Sequence, residues 1–444
     1  MNTYFHSVVL ERDLCMGCTN CIQKCPTEAI RVQQGKAKIL NEKCIDCGEC
    51  IRTCPYRAKV AQTDGWEVLG DYRYTIALPA PTLYMQFDIK HSRQQIIAAL
   101  KMLGFDSVYE VARGAEIVTE ASDRYIAAHQ EDMPFISSAC PAVVRLIQVR
   151  FPSLIPRLLP IKSPMEIAAA NARKEFCSAN HVAPEEVGVF FISPCAAKMT
   201  SVKAPIELPK SNVSGVLSIK TVYFKLLKQL SKIKETQEIL QAGHKGVRWA
   251  SSGGEALALK TKNVLFVDGI QNVVHIFEEL ENDKLDDVDF IEASACTGGC
   301  LGGPLTVENL YVAKTRNRRH SESCPSALSA VTEEEMEHIL FETYPEHRDI
   351  TTLDSDITVA MQKLKRMNEI YEQLPALDCG ACGSPNCRCL AEDVVRGKAN
   401  MEDCIFILRQ RVRSLAKEMM ELEGLMPPVM DQQEPGEEHN NDSK

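Results

Sequence analysis

The sequence predicts an α/β fold with mostly parallel sheets for the middle of the chain, flanked by a small α+β domain and a small helical domain. Between residues 70 and 345, apolar runs of strand length alternate with amphipathic helical stretches, as in parallel sheets covered by helices. Cysteines directly follow several of these runs, where ligands collect in such folds. The predicted strands are Tyr74 to Pro79, Pro134 to Ser137, Glu186 to Ile192, Val264 to Val267 and Val288 to Ile291, and the predicted helices are Gln94 to Met102 and Glu116 to His129.

Size and composition limit the function classes. A chain of 444 residues suggests about three domains, and a net charge of −10 argues against nucleic acid or an anionic membrane as the main partner. Residues 1 to 14 carry charges and no long apolar core, so we expect no secretory signal and a cytoplasmic location. Nineteen cysteines in such a compartment are expected to be metal ligands, in an anaerobic or low-oxygen setting.

Two cysteine runs open the chain, each with the spacing C-x2-C-x2-C-x3-C-P. This spacing is typical of bacterial two-cluster ferredoxins, in which the fourth cysteine of each run ligates the other cluster. Structural zinc is the alternative, but zinc sites pair two C-x-x-C hooks and do not need this tandem arrangement. We therefore predict two 4Fe–4S clusters that pass electrons. One is held by Cys15, Cys18, Cys21 and Cys54, and the other by Cys44, Cys47, Cys50 and Cys25.

Three further cysteine motifs lie in the central region. Cys140 follows Ser138-Ala139, Cys195 follows Pro194, and Cys296 and Cys300 lie in the glycine-rich turn 295–303. A single cysteine of this kind is more often a small buried apolar residue than a ligand. The glycines of the turn, however, let the backbone approach a bulky inorganic group closely. The joint pattern predicts one iron–sulfur cluster held by four cysteines from three segments.

These three motifs resemble the signatures of the catalytic domain of FeFe (iron-only) hydrogenases, over about residues 70 to 345. The resemblance implies a two-lobed domain in which Cys140, Cys195, Cys296 and Cys300 hold a 4Fe–4S cluster. It further implies that Cys300 bridges this cluster to a di-iron subsite with carbon monoxide, cyanide and an azadithiolate, which together form the H-cluster. Pro194 and Lys198 stand at family positions that contact the cofactor, and the lysine there binds a cyanide. Thr82, in Ala80-Pro81-Thr82, resembles the family's Ala-Pro-Ser with the hydroxyl kept.

Several positions depart from the family pattern. Ala139 replaces the cysteine that relays protons in the fast enzymes, and loss of such a group costs typically about 10²- to 10⁴-fold. Glu120 and Asp123 fall near the family's two relay acids, although two solvated charges on a helix would give the same pattern. The remaining departures are Leu159 for the relay serine, Met165 for a glutamine, Ser193 for a methionine and Ser201 for the glutamate that pairs with the lysine.

A further cysteine motif lies near the C-terminal end of the chain. Cys379, Cys382, Cys387 and Cys404 have the spacing C-x2-C-x4-C-x16-C, which resembles a small 4Fe–4S domain, with zinc as the alternative. The cysteines outside all these sets, Cys177, Cys324 and Cys389, are interpreted as bystanders. From residue 403 to 425 the pattern is helical and charged, which fits a helix packed on its own domain or one that docks to a partner. Residues 426–444 are acidic and polar and are expected to be disordered.

Together these features resemble the sensory-type FeFe hydrogenases. We expect slow, reversible oxidation of H2 to two protons and two electrons. The expected partners are an electron-transfer protein or a signalling kinase or phosphatase, with no nucleic acid and no membrane. The alternative is a 4Fe–4S electron-transfer or scaffold protein without a di-iron subsite. The expected organisation is a two-cluster ferredoxin domain at 1–65, the hydrogenase-like domain at 70–345, a linker at 346–364, a small 4Fe–4S domain with its helix at 365–425, and the tail at 426–444.

Overall fold

The computed structural model describes residues 5–234, 236–325 and 328–423. The chain divides into two compact units, Met1–Thr351 and Thr352–Lys444. The predicted acidic tail lies outside the described residues. Within the described ranges, no helix has both the length and the apolar character needed to cross a membrane.

The helices and strands alternate through most of the first unit. The strands, in chain order, are β1 Val8–Leu10, β2 Ile30–Gln33, β3 Lys36–Ile39, β4 Lys59–Ala61, β5 Tyr74–Pro79, β6 Ser107–Val108, β7 Phe135–Ile136, β8 Val187–Ser193, β9 Gly215–Ser218, β10 Val264–Asp268 and β11 Phe290–Ser294. The α-helices are α1 Asn20–Gln23, α2 Glu49–Arg52, α3 Pro81–Tyr84, α4 Arg93–Met102, α5 Val111–Ala128, α6 Pro141–Arg150, α7 Pro164–Asn180, α8 Ala196–Lys203, α9 Ile219–Leu230, α10 His244–Arg248, α11 Ile270–Glu281, α12 Leu310–Glu322, α13 Ile357–Gln373, α14 Cys387–Val395 and α15 Ile405–Glu423.

A four-stranded parallel sheet with the order β6-β5-β8-β9 forms one lobe of the central region. Alternate side chains of its strands point to opposite faces. Ala77, Phe190 and Leu217 pack against α4 and α9, whereas Ile76, Val189 and Val216 pack against α7. Every residue of β8 is buried, as expected for a central strand covered by helices on both faces.

A three-stranded parallel sheet with the order β10-β11-β7 forms the other lobe. One face packs on α6 and α11, with Ile291 in contact with that cluster. The opposite face carries Phe135 and Phe290, which pack with residues of α5 and α7. Because α7 also covers the four-stranded sheet, α5 and α7 lie between the two sheets. Residues that directly follow strands of both sheets, Ala80 after β5 and Ser137 after β7, line one cavity between the lobes.

The close approach of α5 and α7 depends on Gly114. A Cβ at this position would lie 2.3 Å from the Pro164 carbonyl oxygen, which no real packing allows. The glycine is therefore kept inside a helix, where it costs roughly 1 kcal/mol of helix propensity, because it lets two helix backbones touch. The sequence predicted that α5 begins at Glu116, whereas the helix begins five residues earlier, at Val111.

Two antiparallel strand pairs frame the N-terminal cysteine runs. Strand β1 pairs with β4, and β2 pairs with β3 through a two-residue turn. The turn residues Gln34 and Gly35 both have positive φ values, the requirement of a type I′ hairpin. The short helices α1 and α2 each begin two residues after the second cysteine of a run and contain its third cysteine, Cys21 in α1 and Cys50 in α2. This arrangement agrees with the predicted α+β, ferredoxin-like region.

The predicted fold class is confirmed: both central sheets are parallel and are covered by helices. Strand β5 has the predicted bounds, and most others differ by one or two residues. The last predicted strand was placed too early. Val288 lies in a turn, where its N–H donates to the Leu285 carbonyl, so β11 runs from Phe290 to Ser294 and ends two residues before Cys296.

Candidate metal centre

The three central cysteine motifs meet where parallel strands end. Residues 137–140 follow β7, Pro194 and Cys195 follow β8, and Cys296 follows β11. Cys140 and Cys195 are the N-caps of α6 and α8, and neither side chain caps its helix by a hydrogen bond. Both thiols thus lie at the positive ends of helix dipoles, where negative charge is favoured.

One cavity of about 120 Å³ collects all four cysteines, Cys140, Cys195, Cys296 and Cys300. Burial, together with the charges of Cys296 and Cys140, raises the pKa of Cys195 to about 12. The pKa of Cys300 is raised well above its ordinary value by burial and by the other three thiols. Cys296 is buried, Cys140 and Cys195 are partly buried, and Cys300 is exposed and lines this cavity. Burial also raises the pKa of Cys296, so Cys195, Cys296 and Cys300 resist ionisation unless a metal compensates their charge.

The glycine-rich turn is shaped to approach the Cys195 segment closely. A Cβ at Gly303 would lie 2.4 Å from the Pro194 carbonyl oxygen. A Cβ at Gly299, whose φ is +74°, would lie 2.5 Å from the Ser252 nitrogen. Glycines are therefore required here to bring Cys296 and Cys300 to the same cavity as Cys195. The donor set and its cradle fit a cluster of several iron atoms.

Thr82 and Lys198 add polar groups to a cavity wall that is otherwise largely apolar. The Thr82 hydroxyl is fully buried and has no hydrogen-bond partner among the described residues. Leaving a buried hydroxyl unpaired costs about 1–3 kcal/mol, so this one is suited to a bound group with a polar ligand. Lys198, from the first turn of α8, brings a positive charge to the same wall. The pair fits an anionic, ligand-bearing metal group.

Two buried carboxyl groups lie behind Lys198. Glu207 accepts hydrogen bonds from the Ser163 N–H (3.0 Å) and hydroxyl (2.9 Å), and Glu166 accepts one from the Ser211 hydroxyl (2.5 Å). Burial, and next the charge of Glu207, raises the pKa of Glu166 to about 7, and Lys198 opposes this shift. Lys198 therefore has two acids, Glu166 and Glu207, as a source of negative counter-charge.

A second acid pair, Glu255 and Glu292, lines the cavity near Ala139. The Ser137 hydroxyl donates to Glu255 at 2.6 Å and accepts from the Ala139 N–H at 3.3 Å. Glu292 accepts from the N–H groups of Gly253 (2.9 Å) and Ala256 (2.8 Å). Burial, and next the Glu292 charge, raises the pKa of Glu255 to about 8, and burial also raises the pKa of Glu292. The pair therefore holds a proton near neutral pH.

The N-terminal cysteines surround two smaller cavities. The members of each set come from both runs: Cys15, Cys18, Cys21 and Cys54 line one, and Cys25, Cys44, Cys47 and Cys50 line the other. Backbone N–H groups of Ala37, Ala29 and Ala58 each donate to a cysteine sulfur at 3.3 Å, a contact that tunes iron–sulfur clusters. The structure thus brings together the two interleaved groups that the ferredoxin spacing predicts.

The second N-terminal cavity adjoins the central one. Cys47 lines both of them. Arg52 donates to the Gly302 carbonyl at 3.0 Å and to Glu49 at 2.6 Å, and its charge favours the ionised form of Cys296. A Cβ at Gly48 would lie 2.7 Å from the Pro304 ring, so the two segments are in direct contact. The cavity lined by Cys25, Cys44, Cys47 and Cys50 and the central cavity are therefore directly adjacent.

Comparison with known proteins identifies the domain around this cavity. The family model "Iron only hydrogenase large subunit, C-terminal domain" matches residues 73–258 and 212–304, together 232 of the 444 residues. The chain belongs to this family. A 4Fe-4S dicluster domain model matches residues 7–55, and an Fe-S cluster model matches residues 374–406. The chain is thus an iron–sulfur protein of the iron-only hydrogenase family.

Several curated proteins are similar to this chain. It is 26% identical over 362 residues to the periplasmic Fe hydrogenase large subunit of Nitratidesulfovibrio vulgaris, covering 67% of this chain and 86% of that protein. It is 22% identical over 276 residues to iron hydrogenase 1 of Clostridium pasteurianum, covering 50% of this chain and 48% of that protein. The cytosolic Fe-S cluster assembly factor of Yarrowia lipolytica is 30% identical over 99 residues, 22% of this chain and 20% of that protein.

Solved structures of FeFe hydrogenases also match part of this chain. One from Chlamydomonas reinhardtii matches with a TM-score of 0.48 and 15% identity, covering 62% of this chain and 95% of that chain.

The predicted relay acids of this hydrogenase-family chain do not line the central cavity. Glu120 is ion-paired with Arg124 at 3.1 Å, and although burial alone would raise its pKa, its contacts with Arg124 and Lys260 lower it overall. Asp123 accepts from the Lys260 N–H at 2.7 Å, and burial raises its pKa. Leu159 is buried in an apolar cluster beside them. The helix α5 acids are thus separated from the cavity wall formed by Glu255 and Glu292.

The other substituted positions have distinct surroundings. Met165 lines the cavity. The Ser193 hydroxyl is turned to the backbone of Cys195, donating to its carbonyl and accepting from its N–H, both at 3.0 Å. Ser201 is buried on α8, and its lack of charge is offset by Glu166 and Glu207. Although Ser201 replaces the family's glutamate, Lys198 therefore still has a negative counter-charge, which Glu166 and Glu207 supply.

Neither the acid pair that lines the cavity, Glu255 and Glu292, nor the pair near Lys198, Glu166 and Glu207, was predicted from the sequence. A signal existed for Glu292, because it is a charged residue within a strand whose neighbours are apolar, and such residues are almost never buried without a partner. Glu255 follows the Ser252-Gly253-Gly254 turn, whose Gly253 N–H binds Glu292. The remaining acids, Glu166 and Glu207, carried no comparable signal.

The C-terminal cysteines belong to the second unit. Cys382, Cys387 and Cys404 lie in one apolar cluster with Met367 and Leu390. Burial raises the pKa of Cys382, and the charges of Cys404 and Cys379 add to this shift. The Asp378 carboxylate accepts from the Cys387 N–H at 2.8 Å. Cys389, at the N-terminal turn of α14, is buried. Cys177 and Cys324 lie in the first unit and do not line any of the three cysteine cavities.

Proposed function

We propose that this chain is a slow, H2-responsive FeFe hydrogenase that interconverts H2 with two protons and two electrons. The observation that carries this proposal is a single cavity that combines four cysteines, Lys198 and the unpaired Thr82 hydroxyl, with an alanine at position 139. Membership of the iron-only hydrogenase family and the named hydrogenase relatives support it.

The cavity residues fit an H-cluster. Cys140, Cys195, Cys296 and Cys300 would hold its 4Fe–4S part, and Cys300 would bridge to the di-iron part. Lys198 would bind a cyanide ligand through a charge-assisted hydrogen bond. Thr82 would donate its hydroxyl hydrogen to the bound group, with Pro194 closing the wall. When bound, this group supplies the splitting and formation of H2.

The chain's own residues offer a proton route on the Ala139 side. Ser137 connects the Ala139 backbone to Glu255, and Glu292 lies beyond Glu255. A carboxyl group whose pKa is close to the working pH gives and takes protons at the lowest cost. We assign proton transfer to Glu255 and Glu292 rather than to Glu120 and Asp123, because only the former pair lines the cavity.

Electrons would leave through the N-terminal side. Cys47 lines both the central cavity and the cavity formed by Cys25, Cys44 and Cys50. A cluster held by these four cysteines would therefore be adjacent to the central one, and the cluster held by Cys15, Cys18, Cys21 and Cys54 would follow it. The C-terminal set, Cys379, Cys382, Cys387 and Cys404, would hold a fourth 4Fe–4S cluster.

A sensing role follows from the slow proton step. Without a thiol at position 139, the first relay group of the fast enzymes is missing, and turnover is expected to fall by about 10²- to 10⁴-fold. Such a protein is suited to report on H2 to an electron-transfer protein or to a signalling kinase or phosphatase. A cytoplasmic, low-oxygen setting remains part of this proposal.

A non-catalytic scaffold is the second candidate. The match to a cytosolic Fe-S cluster assembly factor, over 99 residues, favours it, as do the changes at Ser193 and Ser201. Against it stand Lys198 with its buried counter-charges, and the Thr82 hydroxyl, which has no described partner without a bound group.

Iron counting with an H2-uptake assay separates the two candidates. Protein reconstituted with iron and sulfide should contain roughly 16 iron atoms per chain for four 4Fe–4S clusters. After loading with a synthetic di-iron complex, the hydrogenase proposal predicts two more iron atoms and the appearance of H2-dependent dye reduction. A full 4Fe–4S complement with neither change would establish the scaffold instead.

A further inference from the structure

The last helix, α15, carries an apolar stripe that its own unit leaves uncovered. Its residues are spaced alternately three and four apart, the a and d pattern of a coiled coil. All six are exposed, with 43–67% of their surface accessible. The stripe consists of Ile405, Leu408, Val412, Leu415, Met419 and Leu422.

The stripe is distinct from the face by which α15 meets the rest of its unit. Ile407, off the stripe, packs against the apolar cluster around Cys387 and Cys404. The Leu408 N–H donates to the Cys404 carbonyl at 2.9 Å, so the helix begins directly at the cysteine set. From there α15 has no buried residue along its described length. A continuous apolar stripe of this kind marks an interaction surface.

The charges of α15 specify what covers the stripe. The first half contains Arg409, Arg411 and Arg413 and no acid. The second half contains Glu418, Glu421 and Glu423 and a single lysine. A helix that is basic at one end and acidic at the other is complementary to a second copy of itself in the opposite direction.

We propose that this chain forms a homodimer through an antiparallel two-stranded coiled coil of α15. In the register that uses the whole stripe, Ile405 packs on Leu422 of the partner subunit, Leu408 on Met419 of the partner subunit, and Val412 on Leu415 of the partner subunit. The two-fold axis repeats each of these layers.

The flanking positions distinguish the two possible directions. In the antiparallel pair, Arg411 lies beside Glu418 of the partner subunit, twice by symmetry. In a parallel pair, Glu418 would instead lie beside Glu423 of the partner subunit, and Arg411 beside Ala416 of the partner subunit. The antiparallel direction gains two attractive ion pairs, whereas the parallel direction brings acids together.

Sedimentation equilibrium of the full chain with its iron–sulfur clusters tests the proposal. The wild type should show a concentration-dependent monomer–dimer equilibrium. Leu415→Glu, which places charges in the central layer, should abolish the dimer, whereas Gln410→Glu, on the opposite side of the helix, should leave it unchanged. Circular dichroism and iron content, equal in all variants, show that the fold is kept.

A charge reversal tests the direction. Arg411→Glu and Glu418→Arg should each weaken the dimer by about tenfold, and the double variant Arg411→Glu/Glu418→Arg should restore it. A dimer strengthened by Glu418→Arg alone would show parallel pairing and overturn the register. A chain that stays monomeric at every concentration, or a dimer that survives Leu415→Glu, would overturn the proposal itself and leave a different protein as the occupant of the stripe.

Discussion

Replacing Glu255 by glutamine tests which acids carry protons to the central cavity. The Ser137 hydroxyl donates to Glu255 at 2.6 Å, and a glutamine oxygen can accept the same hydrogen bond. The amide has nearly the same shape and removes the cost of burying an acid whose pKa is raised to about 8. The variant should therefore fold at least as well as the wild type, yet it cannot exchange a proton.

Loss of a positioned proton-transfer group costs typically 10²–10⁴-fold. Because Glu292 remains beside the cavity and can take over part of the transfer, we expect the lower end, about 10²-fold, in both H2 evolution and H2 oxidation. Rates are measured with a viologen dye and are normalised to the di-iron content of each preparation. An equal loss in both directions is expected because a proton route serves both.

Glu120→Gln provides the matched control. Glu120 lies on α5, is ion-paired with Arg124 and does not line the cavity, so its replacement should change the rate less than about twofold. If Glu120→Gln abolished turnover while Glu255→Gln kept it, the proton route would run along α5 and our assignment to the cavity acids would be wrong.

Three further changes probe the relay position, the buried charge near Lys198 and the contact between the clusters. Ala139→Cys adds a thiol to the cavity wall beside Ser137, and we expect it to raise H2 evolution by at least about tenfold; an unchanged rate would show that the missing relay group does not limit turnover. Glu166→Gln should flatten the pH dependence of unfolding in urea. The folded pKa of Glu166 is raised to about 7, so the wild type loses stability as the pH rises from about 4.5 to 7, by up to ~3 kcal/mol. Equal slopes for wild type and variant would contradict this reasoning. Arg52→Gln removes a positive charge beside Cys296 and should lower the reduction potential of the adjacent cluster by on the order of 50 mV, whereas Arg12→Gln, at an exposed arginine, should not; a shift of equal size in both variants would exclude a local effect.

Most of the correct predictions were made from the spacing of motifs and apolar runs in the sequence. The alternation of apolar runs and helices predicted the parallel sheets, because strands covered on both faces need continuous apolar segments. Glycines and cysteines marked the turn 295–303, in which Gly298 and Gly299 have positive φ values that favour glycine. The three cysteine motifs meet at one cavity because the ends of parallel strands share one edge of each sheet.

What the sequence could not show depends on contacts between distant segments. Glu207 is 44 residues from Ser163, which binds it, and Glu255 is 118 residues from Ser137; no local pattern predicts such pairs. The family pattern pointed to Glu120 and Asp123, but their position along the chain did not reveal which side of α5 they occupy. Helix α5 begins at Val111, five residues before the predicted start at Glu116, and the contact of Gly114 with the Pro164 backbone lies in this unpredicted first part of the helix.

Infrared spectroscopy of protein loaded with a synthetic di-iron complex tests most directly whether the cavity houses an H-cluster. We predict carbonyl and cyanide bands in the wild type. The cyanide bands should shift in Lys198→Met, where the cavity loses its positive charge, but not in Lys203→Met, where the lysine lies on the same helix and pairs with Asp64. A loaded wild-type protein without carbonyl and cyanide bands would contradict the account.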